Sequence, residues 1–317
     1  MTGHPGPDPD EARRGTLYGL AAYGLWGAFP LYFTLLHRSS PFEIVLHRIL
    51  WSLLVCLIAV ATLRRWNDLR IALTTPRTVT LLTTAAVFLA LNWGIYIYGV
   101  NSGQVVEASL GYFINPLVTV LLGVVVLSEK LRPAQWTAVA VASLAVVVLT
   151  VDYGRLPWIA LCLAVSFGIY GLIKNVVGAS LPAVVSLTAE TAVLAPLAAV
   201  ALVVLELRGQ GHFGANAPWQ GLLLASVGII TVVPLVLFAA AARRVPLSMM
   251  GLLQYLTPVL QLLAGVTLLG EHMPPSRWIG FSLVWVALAI LTADSMRSSR
   301  QRSRLAAAAA VPEAVQA

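Results

Sequence analysis

Ten runs of predominantly apolar residues dominate the 317-residue chain. Each is near the length of about 20 residues that a helix needs to cross a hydrocarbon layer of about 30 Å. They lie near 16–36, 41–63, 78–100, 103–126, 133–151, 157–175, 182–205, 219–241, 247–269 and 275–294. In lipid every backbone N–H and C=O must find its partner within the protein, so these runs predict spanning helices and an all-α integral membrane protein. Composition agrees: 59% of residues are hydrophobic, 10% are charged and mean hydropathy is +0.85, too little polar surface to enclose a soluble core. Several connections are short, notably around Asn101–Ser102 and Asp152–Arg155, so neighbouring helices are expected to run antiparallel. The first run lacks a small-residue cleavage site and leads directly into further spans, which predicts a retained helix instead of a signal peptide.

The basic residues orient the bundle. With the N-terminus inside, fifteen of the 20 Lys and Arg residues fall in cytoplasmic segments and four (Arg38, Arg155, Arg208, Arg277) in outer loops. Arg48 alone lies within a helix. Positive residues concentrate on the cytoplasmic side, so both termini are expected there. The formal charge of +7 is then a topology signal, and no nucleic-acid partner is expected. Residues 1–14 are expected to form a disordered cytoplasmic tail, and 295–317 a second cytoplasmic tail with a basic start and an unstructured alanine-rich end. Cys56 and Cys162 fall in apolar runs and read as core thiols without a disulfide. No metal-ligand spacing, nucleotide-binding glycine pattern or nucleophile elbow is present, so no cofactor, metal or enzyme activity is expected.

Most of the stretch Val105–Trp136 is written twice. Shifting Ser109–Ala138 by 142 residues onto Gly251–Gly280 aligns Leu110, Pro116, Leu121, Gly123, Val124, Leu127, Glu129, Pro133 and Trp136 with Leu252, Pro258, Leu263, Gly265, Val266, Leu269, Glu271, Pro275 and Trp278. The fourth run maps onto the ninth, which divides the chain into halves 15–152 and 153–294 of five helices each. An odd number per half turns the second copy over. Inverted repeats of this kind let one protein face either side of a membrane by exchanging the conformations of its halves.

The segments EASLGYFINP, NWGIYIYGVNSG, GLAAYGLWGAFPLYF and FEIVLHRILWS, with the later QYLTP, resemble the RarD or "chloramphenicol-sensitive protein" family. That family belongs to the EamA branch of the drug/metabolite transporter superfamily. The resemblance covers Gly15 to Asp294. It implies ten helices in two inverted halves, a bacterial inner-membrane location and a central cavity lined mainly by the first, third, fourth, sixth, eighth and ninth helices. It also implies solute export or exchange. The reading is a secondary transporter of a small organic metabolite or drug, with protons as a candidate coupling ion and the lipid bilayer as its surroundings. A non-transporting membrane sensor is the rival, and oligomeric state is left open.

Charged groups within a span cost at least about 2.5–3.5 kcal/mol at its centre, so each asks for a reason. Glu107, about one turn into the fourth helix, reads either as a carboxylate at a cavity mouth or as an acid stabilised by the helix dipole. Arg48 and Glu190 lie at near-equivalent depths in the two halves and read as an ion pair, as separately satisfied charges, or as substrate and coupling groups. Glu43 and His47, four residues apart, are expected to share a local hydrogen-bonded patch. Pro116 after Asn115, and Pro258 after Thr257, free the carbonyls of Tyr112 and Gln254 and read as hinges. Asn115, Gln254 and Gln261 would add polar contacts at that depth. Pro30, Pro196 and Pro234 read as simple kinks. Tyr23, Trp26, Asn92, Trp93, Tyr96, Tyr112 and Phe113 offer aromatic walls with an amide, suited to a partly aromatic solute. Gly19, Gly24 and Gly27 read as a small-residue stripe for close helix approach. Lys174 reads as snorkelling to the interface, and Glu129 and Glu271 as structural ends of the repeat.

Overall fold

The computed structural model describes residues 9–128, 131–177, 181–213, 218–245 and 247–309. In chain order the helices are α1 (Pro9–Gly27), α2 (Phe29–Thr34), α3 (Pro41–Thr62), α4 (Trp66–Thr74), α5 (Pro76–Asn101), α6 (Val105–Leu127) and α7 (Pro133–Tyr153). Then follow α8 (Trp158–Val177), α9 (Ala183–Leu207), α10 (Pro218–Ala242), α11 (Leu247–Leu253), α12 (Leu256–Leu263) and α13 (Pro275–Ala309). A π-helical turn, Ala264–Leu268, continues α12. Among the described residues nine helical stretches are long and apolar enough to cross a membrane. The first apolar run is divided between α1 and α2, with Pro30 near the start of α2, where its missing N–H is least costly.

Prolines open α3, α5, α7, α10 and α13, where the fixed φ suits a first turn. Ser40 caps α3 by accepting from the Glu43 N–H at 3.1 Å. The tight reversals expected near Asn101 and Asp152 rest on Gly103 (φ 67°) and Gly154 (φ 65°), left-handed positions that a side chain would strain.

Element starts recur with the shift of 142 residues. Those of α5, α6 and α7 (Pro76, Val105, Pro133) map onto those of α10, α11 and α13 (Pro218, Leu247, Pro275), and Pro41 of α3 maps onto Ala183 of α9. The copies differ inside: α6 runs unbroken through Pro116, whereas its counterpart breaks at Gln254–Tyr255.

The tails depart from expectation. The helix begins at Pro9, so the last six residues of the expected disordered segment are helical, and Glu11 reaches Arg244 at 3.2 Å. At the other end α13 runs through Ala309, because alanine is the strongest helix former and prolongs a helix already nucleated.

The chain groups into two compact units, Met1–Asn115 with Trp158–His272, and Pro116–Pro157 with Met273–Ala317. In the first, α3, α5, α9 and α10 surround a core that includes Phe33, Ile44, Ile97, Ile159 and Leu224. Gly19 and Gly27 pack so closely on Leu253 and Leu260 that an added Cβ would lie 2.7 Å from them. Gly24, expected in the same stripe, faces open space. Cys56 is buried and free as expected, but Cys162 lies on an exposed face of α8, where lipid can cover it.

In the second unit, α7 and α13 pair antiparallel over Ala138, Ala142, Ala145 and Leu149 of one and Phe281, Val284, Ala287 and Leu288 of the other, all buried. Each helix end is tied to the other's beginning. Asp152 accepts from Arg277 Nε at 2.9 Å and from Ser276, and Asp294 pairs with Arg132 at 2.6 Å.

Candidate functional site

Arg48 enters the first unit on α3, seven residues beyond Pro41 and so about 10 Å along the axis. It is 4% exposed. Its Nε donates to Thr231 Oγ1 of α10 at 3.0 Å. The guanidinium lies 4.0 Å from the centre of the Trp93 ring, with Phe33 and Phe29 at 5.5 and 5.6 Å. Such cation–π contacts offset part of the cost of removing the charge from water. Among the described residues no carboxylate pairs with it, and the ionisable neighbours that act on it are the phenols of Tyr32, Tyr96 and Tyr112.

Those tyrosines are held from several helices. Tyr32 of α2 donates to the Leu223 carbonyl at 2.6 Å and lies 2.9 Å from Ser226 Oγ. Tyr96 packs between Phe33 and Tyr112, with ring centres 6.0 and 5.7 Å away. Tyr112 donates to Asn92 Oδ1 at 3.4 Å, and Asn92 Nδ2 in turn donates to the Leu163 carbonyl and Ser166 Oγ of α8, both at 3.1 Å. Of the candidate residues, Arg48, Trp93, Asn92 and Tyr112 thus converge. Asn115 is half-buried one turn further along α6.

Glu190 forms a separate centre on α9. Its carboxylate, 1% exposed, accepts from Lys174 Nζ at 2.7 Å, Ser186 Oγ at 2.9 Å and the Tyr170 hydroxyl at 3.3 Å. Lys174 also reaches Ser186. An Arg48–Glu190 pair is therefore not formed. Lys174 turns inward to Glu190 instead of snorkelling, since a carboxylate with hydrogen bonds of its own outcompetes the interface for the ammonium.

Three further acids bind backbone amides. Glu107, also 1% exposed, accepts from the Ile159 N–H at the start of α8 at 2.9 Å. Glu271 accepts from the N–H groups of Val105 and Val106 at 2.5 and 2.8 Å, capping α6. Glu43 accepts from His212, through its backbone N–H at 2.6 Å and its Nδ1 at 2.8 Å. No hydrogen bond joins Glu43 to His47, whose Nδ1 instead accepts from Trp51 Nε1 at 3.3 Å. Sequence separation hid these contacts, because only residues three or four apart announce themselves on one helix. Glu129 lies outside the described residues.

Neither Trp26 nor Gln254 is among the hydrogen-bond or ring partners of Arg48. Trp26 packs on Tyr23 and Phe238, at 5.5 and 5.9 Å, and its carbonyl accepts from Gln261 Nε2 at 3.1 Å. Gln254 is exposed where α11 ends, four residues before buried Pro258. A surface depression of about 730 Å³ opens where α3 begins, bordered by His37, Arg38, Tyr98, Asn101 and His212.

The family model of the EamA-like transporters matches residues 13–151 and again 156–293. Protein RarD of Streptomyces exfoliatus is 52% identical over 301 residues, covering 95% of each chain. Protein RarD of Escherichia coli is 39% identical, over 94% of this chain and all of the relative. An uncharacterized transporter of Pseudomonas aeruginosa is 43% identical over 91% of this chain and 96% of its own. A solved protein structure superposes with a TM-score of 0.56 at 22% identity, covering 89% of this chain and 98% of that one, a likeness of fold alone.

Proposed function

Because the chain belongs to the RarD family of EamA-like transporters and is a multi-pass membrane protein, we propose that it moves a small organic solute across the membrane by alternating access. The observation that carries this reading is the pair of opposite charges, Arg48 and Glu190, sunk at repeat-equivalent places in an apolar helical unit. Charge at such depth is expensive, and solute and ion pathways are where membrane proteins keep it. Ten spans in two inverted halves, 15–152 and 153–294, are supported by the two family-model matches, the recurrence of element starts and the antiparallel pairing of α7 with α13. The arginine count supports cytoplasmic termini, and likeness to the RarD family supports transport outward or in exchange.

Proton coupling falls to Glu190 more readily than to Glu107, because protonating Glu190 would release Lys174, whereas Glu107 is engaged as a backbone cap. Pro116 and Pro258 remain the hinges of this cycle, and the break before Pro258 supports that role. One relative carries the name chloramphenicol-sensitive protein, which places chloramphenicol in the panel to be tried.

The test is counterflow into proteoliposomes holding the full-length chain, with radiolabelled chloramphenicol, amino acids and carboxylates, with and without a protonophore. Flux above empty vesicles is expected, and loss of its proton dependence in Glu190→Gln. Absence of flux across the panel, with insertion verified, would count against transport.

A further inference from the structure

We propose that Arg48 is the binding point for an oxyanion, a carboxylate or phosphate carried on a small apolar or aromatic body, and that this anion is part of the transported solute. The second clause rests on the transport reading. The first rests on Arg48 itself.

A shift of 142 residues carries Arg48 onto Glu190 and Tyr32 onto Lys174. In the second copy those positions form an internally neutralised pair, Lys174 against Glu190 at 2.7 Å. In the first copy the acid has become a base, and the base a neutral phenol. Tyr32 spends its proton on the Leu223 carbonyl. The chain thus holds a buried guanidinium at a place where its own repeat supplies a counter-charge, and among the described residues it supplies none here. A buried cation left this way costs several kcal/mol, which the ring of Trp93 offsets only in part.

The geometry leaves the right groups free. Thr231 takes the Nε proton and Trp93 covers one face, so the N–H groups of both terminal nitrogens remain in the guanidinium plane. They have no hydrogen-bond partner among the described residues. A planar fork of this kind matches an oxyanion through two parallel hydrogen bonds. The Tyr96 hydroxyl, buried and without a partner among the described residues, acts on Arg48 and offers a further donor. The neighbouring rings of Phe33, Tyr96 and Tyr112 give an aromatic or aliphatic body something to lie against.

The experiment uses the purified full-length protein and four matched probes: 3-phenylpropanoate, phenyl phosphate, 3-phenylpropanamide and 3-phenylpropylamine. Binding is measured by calorimetry and thermal shift. At least one anion should bind about 10- to 100-fold tighter than the amide and the amine, the range that charge-assisted hydrogen bonds supply. The anion that wins identifies carboxylate or phosphate as the source. The preference should vanish in Arg48→Gln and survive in part in Arg48→Lys, which keeps the charge without the fork. If Arg48→Gln does not fold, the wild-type panel and Arg48→Lys decide alone. Anions that bind no tighter than the amide, or a preference unchanged in both variants, would overturn the inference. Counterflow of the same probes separates the two readings. Anion-selective binding without flux sinks transport and leaves the site; flux of amide or amine without anion preference does the reverse.

Discussion

Arg48 and Glu190 occupy the same place in two copies of one helix, and the chain treats them differently. Glu190 is neutralised at home by Lys174, Ser186 and Tyr170. Arg48 receives one hydroxyl, an indole face and no carboxylate among the described residues. Duplication supplies a position, and divergence decides whether the charge there stabilises the fold or is held ready for something else. A paired charge contributes to folding until protonation releases its partner, whereas an unpaired one at the same depth points to a ligand.

The largest expected effect lies on the paired side. Glu190→Gln strands Lys174 and should cost about 3 kcal/mol, at the low end for a broken buried pair because the lysine is partly exposed. Thermal unfolding of purified variants checks this, and adding Lys174→Met should restore most of the loss. If Glu190→Gln unfolds like wild type, the two sites are not different in kind. Next, Tyr32→Glu gives Arg48 the partner its repeat copy has, and should weaken anion binding about tenfold or more by occupying the fork, as read by calorimetry. Unchanged binding would mean that Arg48 does not need its free edge. Thr231→Val removes the acceptor for Nε and should cost about 1 kcal/mol of stability while keeping the anion preference. The smallest loss is the most telling: without solute, Arg48→Met should cost no stability and should raise it, since it removes an unpaired buried charge whose ring contact offsets only part of its cost. A loss near that of Glu190→Gln would show Arg48 to be structural.

A second pair of regions repeats the lesson on the backbone. Pro116 and Pro258 are the same residue at the same register, yet α6 stays continuous while its copy breaks at Gln254–Tyr255 and widens into a π turn later. A proline weakens a helix by one hydrogen bond wherever it stands. Whether the helix parts there depends on what packs around it: Gly19 and Gly27 of α1 admit Leu253 and Leu260 on either side of the break, and Thr257 and Gln261 are tied to the carbonyls of Tyr23 and Trp26.

The spans, the short connections between them and the duplication were legible in the residues, because each rests on a period or a length set by the bilayer; that the turns rest on Gly103 and Gly154 came from the structure. The chemical types at the site were legible too: a charged residue in an apolar run signals itself without a structure. Partnership was not legible. Glu43 has His47 one turn away and yet binds His212, 169 residues on, and Glu107 and Glu271 each cap a helix far along the chain. Local spacing ranks neighbours only on one helix, whereas desolvated carboxylates go to whichever donors folding brings within about 3 Å. By itself the sequence determined that this chain lives in a membrane as a repeated set of helices with charge buried in both copies. Only the tertiary structure decided which of those charges is satisfied and which is left open, because satisfaction is a property of the atoms that packing places around a group.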